Sequence, residues 1–182
     1  MLAKDQTLTV LGCGTMGEAI VRGILRSGRL EPAQILATDR RAEVVKALRE
    51  KHGIKTTSDN REACRAGNVV LVCVKPHEVG PLLRDAEIGK LLADKLVISI
   101  AAGIRLADLG RWLGGYARLA RCMPNTPALI GLGVTGLYAR PEVAPAQRKH
   151  AQAVLEAVGE VIWVDDEAML DPVTAVSASG PA

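Results

Sequence analysis

With 182 residues the chain is long enough for one well-buried domain and too short for two large ones. Its 48% apolar and 24% charged residues fit a globular protein, and a formal charge of +3 is too small and dispersed to argue for nucleic acid. Aromatic residues make up only 2%, with no Phe, which removes stacking platforms for single strands and leaves an aliphatic core.

Leu8-Thr9-Val10-Leu11 reads as a buried strand that runs into Gly12, Gly14 and Gly17 at the spacing G-x-G-x-x-G. A helix follows from about Thr15 to Ser27, with Ala19, Ile20, Ile24 and Leu25 on one face and Gly28 to end it. In a dinucleotide site Gly12 permits the tight turn, Gly14 lets the backbone approach a pyrophosphate, and Gly17 lets the helix pack closely on the strand. Free N–H groups at the helix start then face the phosphates. The spacing alone is weak in a chain with 18 glycines; its place between a strand and a helix strengthens it, and the alternative is an ordinary tight turn.

Ile35 to Thr38 is a second strand, followed by a helix to about His52 with Val44, Val45 and Leu48 at helical spacing. Lys55-Thr56-Thr57 is a weak third strand, and Ser58-Asp59-Asn60 offers N-cap chemistry for a short helix ending near Ala66. Val69 to Val74, apolar on both faces, reads as a central strand that breaks at Lys75-Pro76-His77. A single helical region carries Leu82, Leu83, Leu91 and Leu92 before the strand Leu96 to Ile100, which breaks at Ala101-Ala102-Gly103. Leu106, Leu109 and Leu113 stripe another helix, and Leu119 to Cys122 is a strand leading into Met123-Pro124-Asn125-Thr126-Pro127. The glycine-rich Gly131 to Tyr138, a helix from about Pro145 to Ala157, and Val161 to Val164 extend the sheet at one edge. Asp165, Asp166 and Glu167 read as a solvated cap on a helix around Met169. The alternation predicts an α/β fold, a Rossmann-type doubly wound, mostly parallel sheet with extra edge strands near the C-terminus.

Cys13, Cys64, Cys73 and Cys122 form no C-x-x-C or Cys/His cluster, and most sit in or beside apolar runs as small buried hydrophobes. No signal-peptide pattern opens the sequence and no apolar run approaches a membrane span, so a cytoplasmic protein is expected.

Ligands of an open α/β sheet bind beyond the carboxyl ends of its strands. Asp39, about 20 residues past the glycine loop, stands where an acid accepts from a ribose 2′-hydroxyl. Arg40 and Arg41 beside it suit a 2′-phosphate, and the two readings conflict. Lys75, held extended by Pro76, reads as a loop contact rather than a proton donor. His77 reads as a helix-start residue, and His52 and His150 as lying on polar helix faces. No Ser/His/Asp or Cys/His set falls at a plausible group of strand ends, so hydrolase chemistry gains no support.

Val74-Lys75-Pro76-His77, Ile98 to Gly103, Arg121-Cys122-Met123-Pro124-Asn125-Thr126-Pro127 and Val176-Ser177-Ala178-Ser179-Gly180-Pro181-Ala182 follow the glycine loop in that order. Taken together the chain resembles the pyrroline-5-carboxylate reductases from Leu8 to its last residue, with Ala178 standing where that family usually has glycine. The resemblance implies a cofactor, NADPH with NADH as the alternative, along Gly12, Gly14, Thr15, Met16 and Gly17. It places Asp39, Arg40 and Asn60 at the adenosine end, and Val74, Lys75, Pro76, Ala101, Ala102 and Gly103 along the nicotinamide half. Asn125 and Thr126 line the substrate pocket, which Ser177, Ser179 and Gly180 close; the plainer alternatives are a strand end and a helix cap. No residue is implied as a certain catalytic acid, and no metal. The resemblance also implies that residues 1–168 are the dinucleotide-binding domain and 169–182 the lead into an all-helical domain, through which the family forms homo-oligomers. That domain is not in this sequence, so a fragment or a truncated product is expected, binding cofactor but catalytically incomplete, turning over poorly or not at all.

The activity implied is reduction of 1-pyrroline-5-carboxylate to proline, the last step of proline biosynthesis. A protonated C=N is already electrophilic, so such a site asks mainly for positioning. The rival readings are a dehydrogenase of β-hydroxy acids and a non-catalytic NAD(P)-binding module.

Overall fold

Short apolar runs bounded by glycine, proline and small polar residues become strands, and the amphipathic stretches between them become the crossover helices. In the computed structural model, which describes residues 2–179, the chain runs β1 (Leu8–Leu11), α1 (Thr15–Arg26), β2 (Ile35–Thr38), α2 (Ala42–His52), β3 (Lys55–Thr57) and α3 (Asn60–Ala66). It continues through β4 (Val69–Val72), α4 (Pro76–Leu83), α5 (Ala86–Leu91), β5 (Leu96–Ser99), α6 (Leu106–Trp112) and β6 (Leu119–Met123). The last part is β7 (Gly133–Ala139), α7 (Pro145–Leu155), β8 (Gly159–Trp163) and α8 (Leu170–Val173), with a wider helical turn Thr174–Ser179. Gly180 and the side chain of Ser179, both expected to close the pocket, lie outside the described residues.

The sheet order is β3-β2-β1-β4-β5-β6-β7-β8. β1 to β6 are parallel, β7 runs antiparallel to β6, and β8 is parallel to β7. The mostly parallel sheet with added edge strands is therefore as expected. The strands at 69 and 96 stop two and one residues sooner than expected, at Val72 and Ser99. The single helical region expected around Leu82 to Leu92 is two helices, because Asp85 interrupts it: its side chain accepts from the Glu87 N–H and caps a second start.

β4 shows why the sheet is central. Val69 and Leu71 enter one core with Ile20, Ile24 and Val154, while Val70 and Val72 enter the other with Val79, Leu83 and Leu109. α8 lies on the second face: a Cβ on Gly136 of β7 would come within 2.9 Å of Leu170, which is buried. No described helix is long and apolar enough to cross a membrane. Two features position the site. The ends of β1, β2, β4, β5 and β6 share one sheet edge, and the antiparallel β7 starts from that same edge.

Candidate functional site

β1 ends in a turn that only glycine fits well. Gly12 has φ +80°, and a Cβ there would lie 2.4 Å from a Val74 methyl. Its N–H, at 3.1 Å, and that of Cys13, at 2.7 Å, both donate to the Thr38 carbonyl, which ties the loop to the end of β2. A Cβ on Gly17 would press at 3.1 Å on the Gly12 carbonyl, so α1 sits as close to the loop as the spacing suggests. Gly14 caps α1, and a Cβ there would meet nothing within 4 Å.

A cavity of about 670 Å³ opens between this loop and the ends of β2 and β4. Of the predicted residues, Gly12, Gly14, Asp39, Arg40, Asn60, Val74 and Lys75 line it, together with Arg41 and His77. Thr15, Met16, Gly17, Pro76, Ala101, Ala102 and Gly103 are not in its wall; they follow β1, β4 and β5 at the same sheet edge. Lys75 is extended, with φ −61° and ψ 150°, as the following proline requires, and its N–H donates to Glu78 at 3.3 Å.

The conflict expected between Asp39 and its neighbouring arginines takes a definite form. Asp39 accepts from the Arg41 N–H at 3.0 Å, from its Nε at 2.9 Å and from its Nη2 at 3.1 Å, so the guanidinium forks onto the carboxylate. Burial works against the Asp39 charge, but the bonds and charge of Arg41, with Arg40 beyond, hold the carboxyl below its ordinary value. Arg40 reaches the other way and pairs with Glu78 of α4. Thr38 completes this end: its hydroxyl donates to Asn60 Oδ1 at 2.7 Å.

At the end of β6 the two remaining motifs meet. Asn125 Oδ1 accepts from the Val134 N–H at 2.9 Å, which leaves Nδ2 to donate to Ser177 Oγ at 3.0 Å. Thr126 is exposed beside them. Neither Asn125, Thr126 nor Ser177 is in the wall of the 670 Å³ cavity.

Sequence reasoning missed Thr38, Glu78 and a buried cation. Arg121 of β6 is 2% exposed and donates to Glu167 at 3.3 Å and Asp171 at 3.1 Å. The signal was a charge inside an apolar strand. Glu167 is thus more than the solvated acid expected, and it also accepts from the Leu106 N–H at 2.7 Å; Asp166 does cap its helix, accepting from Ala168. His52 is likewise corrected: its side chain is 8% exposed and bonds Glu18 of α1 at 3.1 Å, rather than lying on a polar face. Burial pushes the Cys13 and Cys64 thiols up to about 12 and raises Cys73 and Cys122 as well, so none is a ready nucleophile.

A family model described as NADP oxidoreductase coenzyme F420-dependent matches residues 7–103. The pyrroline-5-carboxylate reductase of Pseudomonas aeruginosa is 42% identical over 175 residues, which is 96% of this chain and 63% of that protein. A solved pyrroline-5-carboxylate reductase from Coxiella burnetii superposes with a TM-score of 0.92 at 36% identity, covering 97% of this chain and 65% of that one. The crystal structure of Plasmodium falciparum pyrroline carboxylate reductase with NADP bound gives a TM-score of 0.86 at 25% identity, covering 99% and 65%. The chain therefore spans a little under two thirds of the length of these relatives.

Proposed function

The chain belongs to the family described as NADP oxidoreductase coenzyme F420-dependent, and from that premise we propose that it is the dinucleotide-binding part of a pyrroline-5-carboxylate reductase. Its reaction is the reduction of 1-pyrroline-5-carboxylate to L-proline with NADPH, in the cytoplasm. The observation that carries this reading is the Asn125–Ser177 hydrogen bond, which joins the two most specific motifs at the sheet edge where the cavity opens. The relatives named for this reaction, one of them solved with NADP, support it.

The residues present fit a dinucleotide. Gly14 faces the cavity with open space where any side chain would stand. The phosphates fall to the Gly12–Gly14 backbone and the N–H groups of Thr15, Met16 and Gly17. Arg40, Arg41, Asp39 and Asn60 hold the adenosine end. By forking onto Asp39, Arg41 offsets the charge that would repel a 2′-phosphate, which favours NADPH over NADH. Val74, Lys75, Pro76 and Ala101 to Gly103 flank the nicotinamide half. When bound, the cofactor supplies the hydride.

The chain's own part is positioning. With its carbonyl fixed by Val134, Asn125 can only donate to Ser177, so the Ser177 hydroxyl keeps its proton for the substrate's carboxylate. Thr126 adds a second hydroxyl beside it. Residues 1–168 form the dinucleotide-binding domain in this reading, and 169–182 lead into a helical domain that completes the pocket with Ser179 and Gly180 and makes the enzyme a homo-oligomer. The partner is a small imine, not nucleic acid or a membrane. The four unpaired thiols suit a reducing compartment.

The test is label transfer: the full chain is incubated with the imine and NADPH deuterated at C4, and proline is analysed by mass spectrometry. Deuterated proline is expected, formed slowly at most by the chain alone and faster once the helical domain of a solved relative is joined to it. Tight NADPH binding with no label in proline from either protein would overturn the reductase reading and leave a binding module.

A further inference from the structure

Among the described residues Arg121 is the only charged side chain that is fully buried. It stands on β6 in register with Ser99 of β5 and Tyr138 of β7, on the sheet face covered by α6 and α8. A guanidinium held out of water is costly unless its donors are all met. Here two carboxylates meet it, both from the C-terminal segment: Glu167 at 3.3 Å and Asp171 at 3.1 Å. Glu167 also takes the Leu106 N–H at the start of α6, and Arg105 stands 3.7 Å from Asp171. One buried cation therefore ties β6 and the start of α6 to residues that precede and open α8.

A second connection runs between the same two stretches. Four residues on from Arg121 is Asn125, and six on from Asp171 is Ser177, and these two are bonded at 3.0 Å. The Asn125–Ser177 bond thus lies further along the same two stretches that the Arg121 ion pairs already join. Between the anchors the chain passes from α8 into the wider turn at Thr174, whose hydroxyl donates to the Leu170 carbonyl at 2.7 Å.

We propose that Arg121 is a positioning residue for the substrate end: its ion pairs with Glu167 and Asp171 dock the C-terminal segment so that Ser177 meets Asn125. The functional part of this rests on the reading of Asn125 and Ser177 as substrate-facing; the coupling itself does not. Arg121 is not in the wall of the cavity, and its hydrogen bonds go to Glu167 and Asp171. It acts through Ser177 alone.

The experiment follows the Asn125 side-chain amide by NMR in the full chain. In the native protein its exchange is slowed by the bonds to Ser177 and Val134. Ser177→Ala is expected to speed that exchange about tenfold. Arg121→Met is expected to do the same without contacting Asn125, and the double variant to add less than about twofold to either alone. Arg121→Lys, which keeps the charge, restores most of the slowing; a residue that merely fills space would be rescued by Met instead. Amide dispersion and the thermal midpoint check the fold whether or not NADPH binds. Should Arg121→Met fail to fold, Asp171→Asn, whose side chain is about half exposed, takes its place with the same expected loss. Wild-type exchange in a folded Arg121→Met or Asp171→Asn protein overturns the proposal, as does full additivity with Ser177→Ala. No readout uses the imine, so failure of label transfer with and without the joined helical domain sinks the reductase reading and leaves the coupling to stand or fall separately.

Discussion

At the adenosine end of the site Asp39 finds its cation two residues along the chain, at Arg41, whereas Arg121 finds its carboxylates 46 and 50 residues along, at Glu167 and Asp171. In the first pair the cation is wetted and the anion is not: the Arg41 side chain is 58% exposed and that of Asp39 9%. The second cation is dry. A short-range pair whose cation stands in water can have that cation altered without asking the rest of the fold to respond, and the energy of such an exposed charge is small. A buried cation satisfied from a distant segment couples local chemistry to the closure of the whole sheet. Changes at the adenosine end should therefore move ligand preference, and changes around Arg121 should move stability and the substrate end together.

The largest effect is expected where the glycine loop has no room. Gly12→Ala places a Cβ 2.4 Å from Val74 at a positive φ, and should cost about 3 kcal/mol or more in urea unfolding while abolishing NADPH binding. Gly14→Ala sharpens the point: with nothing within 4 Å of the new Cβ, stability should stay within about 0.5 kcal/mol while NADPH titration shows a loss of about tenfold or more. Glu167→Ala comes next, because it removes one acceptor of Arg121 and orphans the Leu106 N–H. A loss of about 2 kcal/mol in unfolding free energy is expected, and an unchanged midpoint would mean that the buried cation is met in some other way.

Arg41→Ala should barely move the thermal midpoint, yet lower the ratio of NADPH to NADH affinity about tenfold, as Asp39 is released from its partner. An unchanged ratio would remove Arg41 from the discrimination. The smallest effect belongs to the Asp39 charge itself. Its folded carboxyl titrates below its ordinary value, so its stabilising contribution is full above about pH 4, where an unfolded Asp ionises. That contribution is lost as pH falls through the folded value. Unfolding curves of the native chain and Asp39→Asn should differ at neutral pH and converge in acid; a gap that widened in acid would reverse the sign.

The same contrast governs what the sequence made legible. β1, β2 and β4 announce themselves because an apolar run buried on both faces, stopped by glycine, proline or a polar turn, has few other uses, and the glycine loop is written in six consecutive residues. The break between α4 and α5 escaped because leucines continue at helical spacing across it, while the decisive residue, Asp85, is a cap that any loop could carry. His52 and Arg121 escaped for a shared reason. Each is polar on an element whose spacing says little about it, and each is satisfied by a partner 34 or more residues away, at Glu18 or at Glu167 and Asp171. Periodicity sees neighbours along one element. It does not see which distant acid will face them.

The placement of those acids also bears on how the chain is made. All eight strands are complete by Trp163, but the carboxylates that answer Arg121 do not appear until Glu167 and Asp171. During synthesis from the N-terminus, the middle of the sheet therefore acquires its charge balance only after every strand of it has emerged. A chain cut just after β8 would keep every strand and leave Arg121 without either of the carboxylates that meet it.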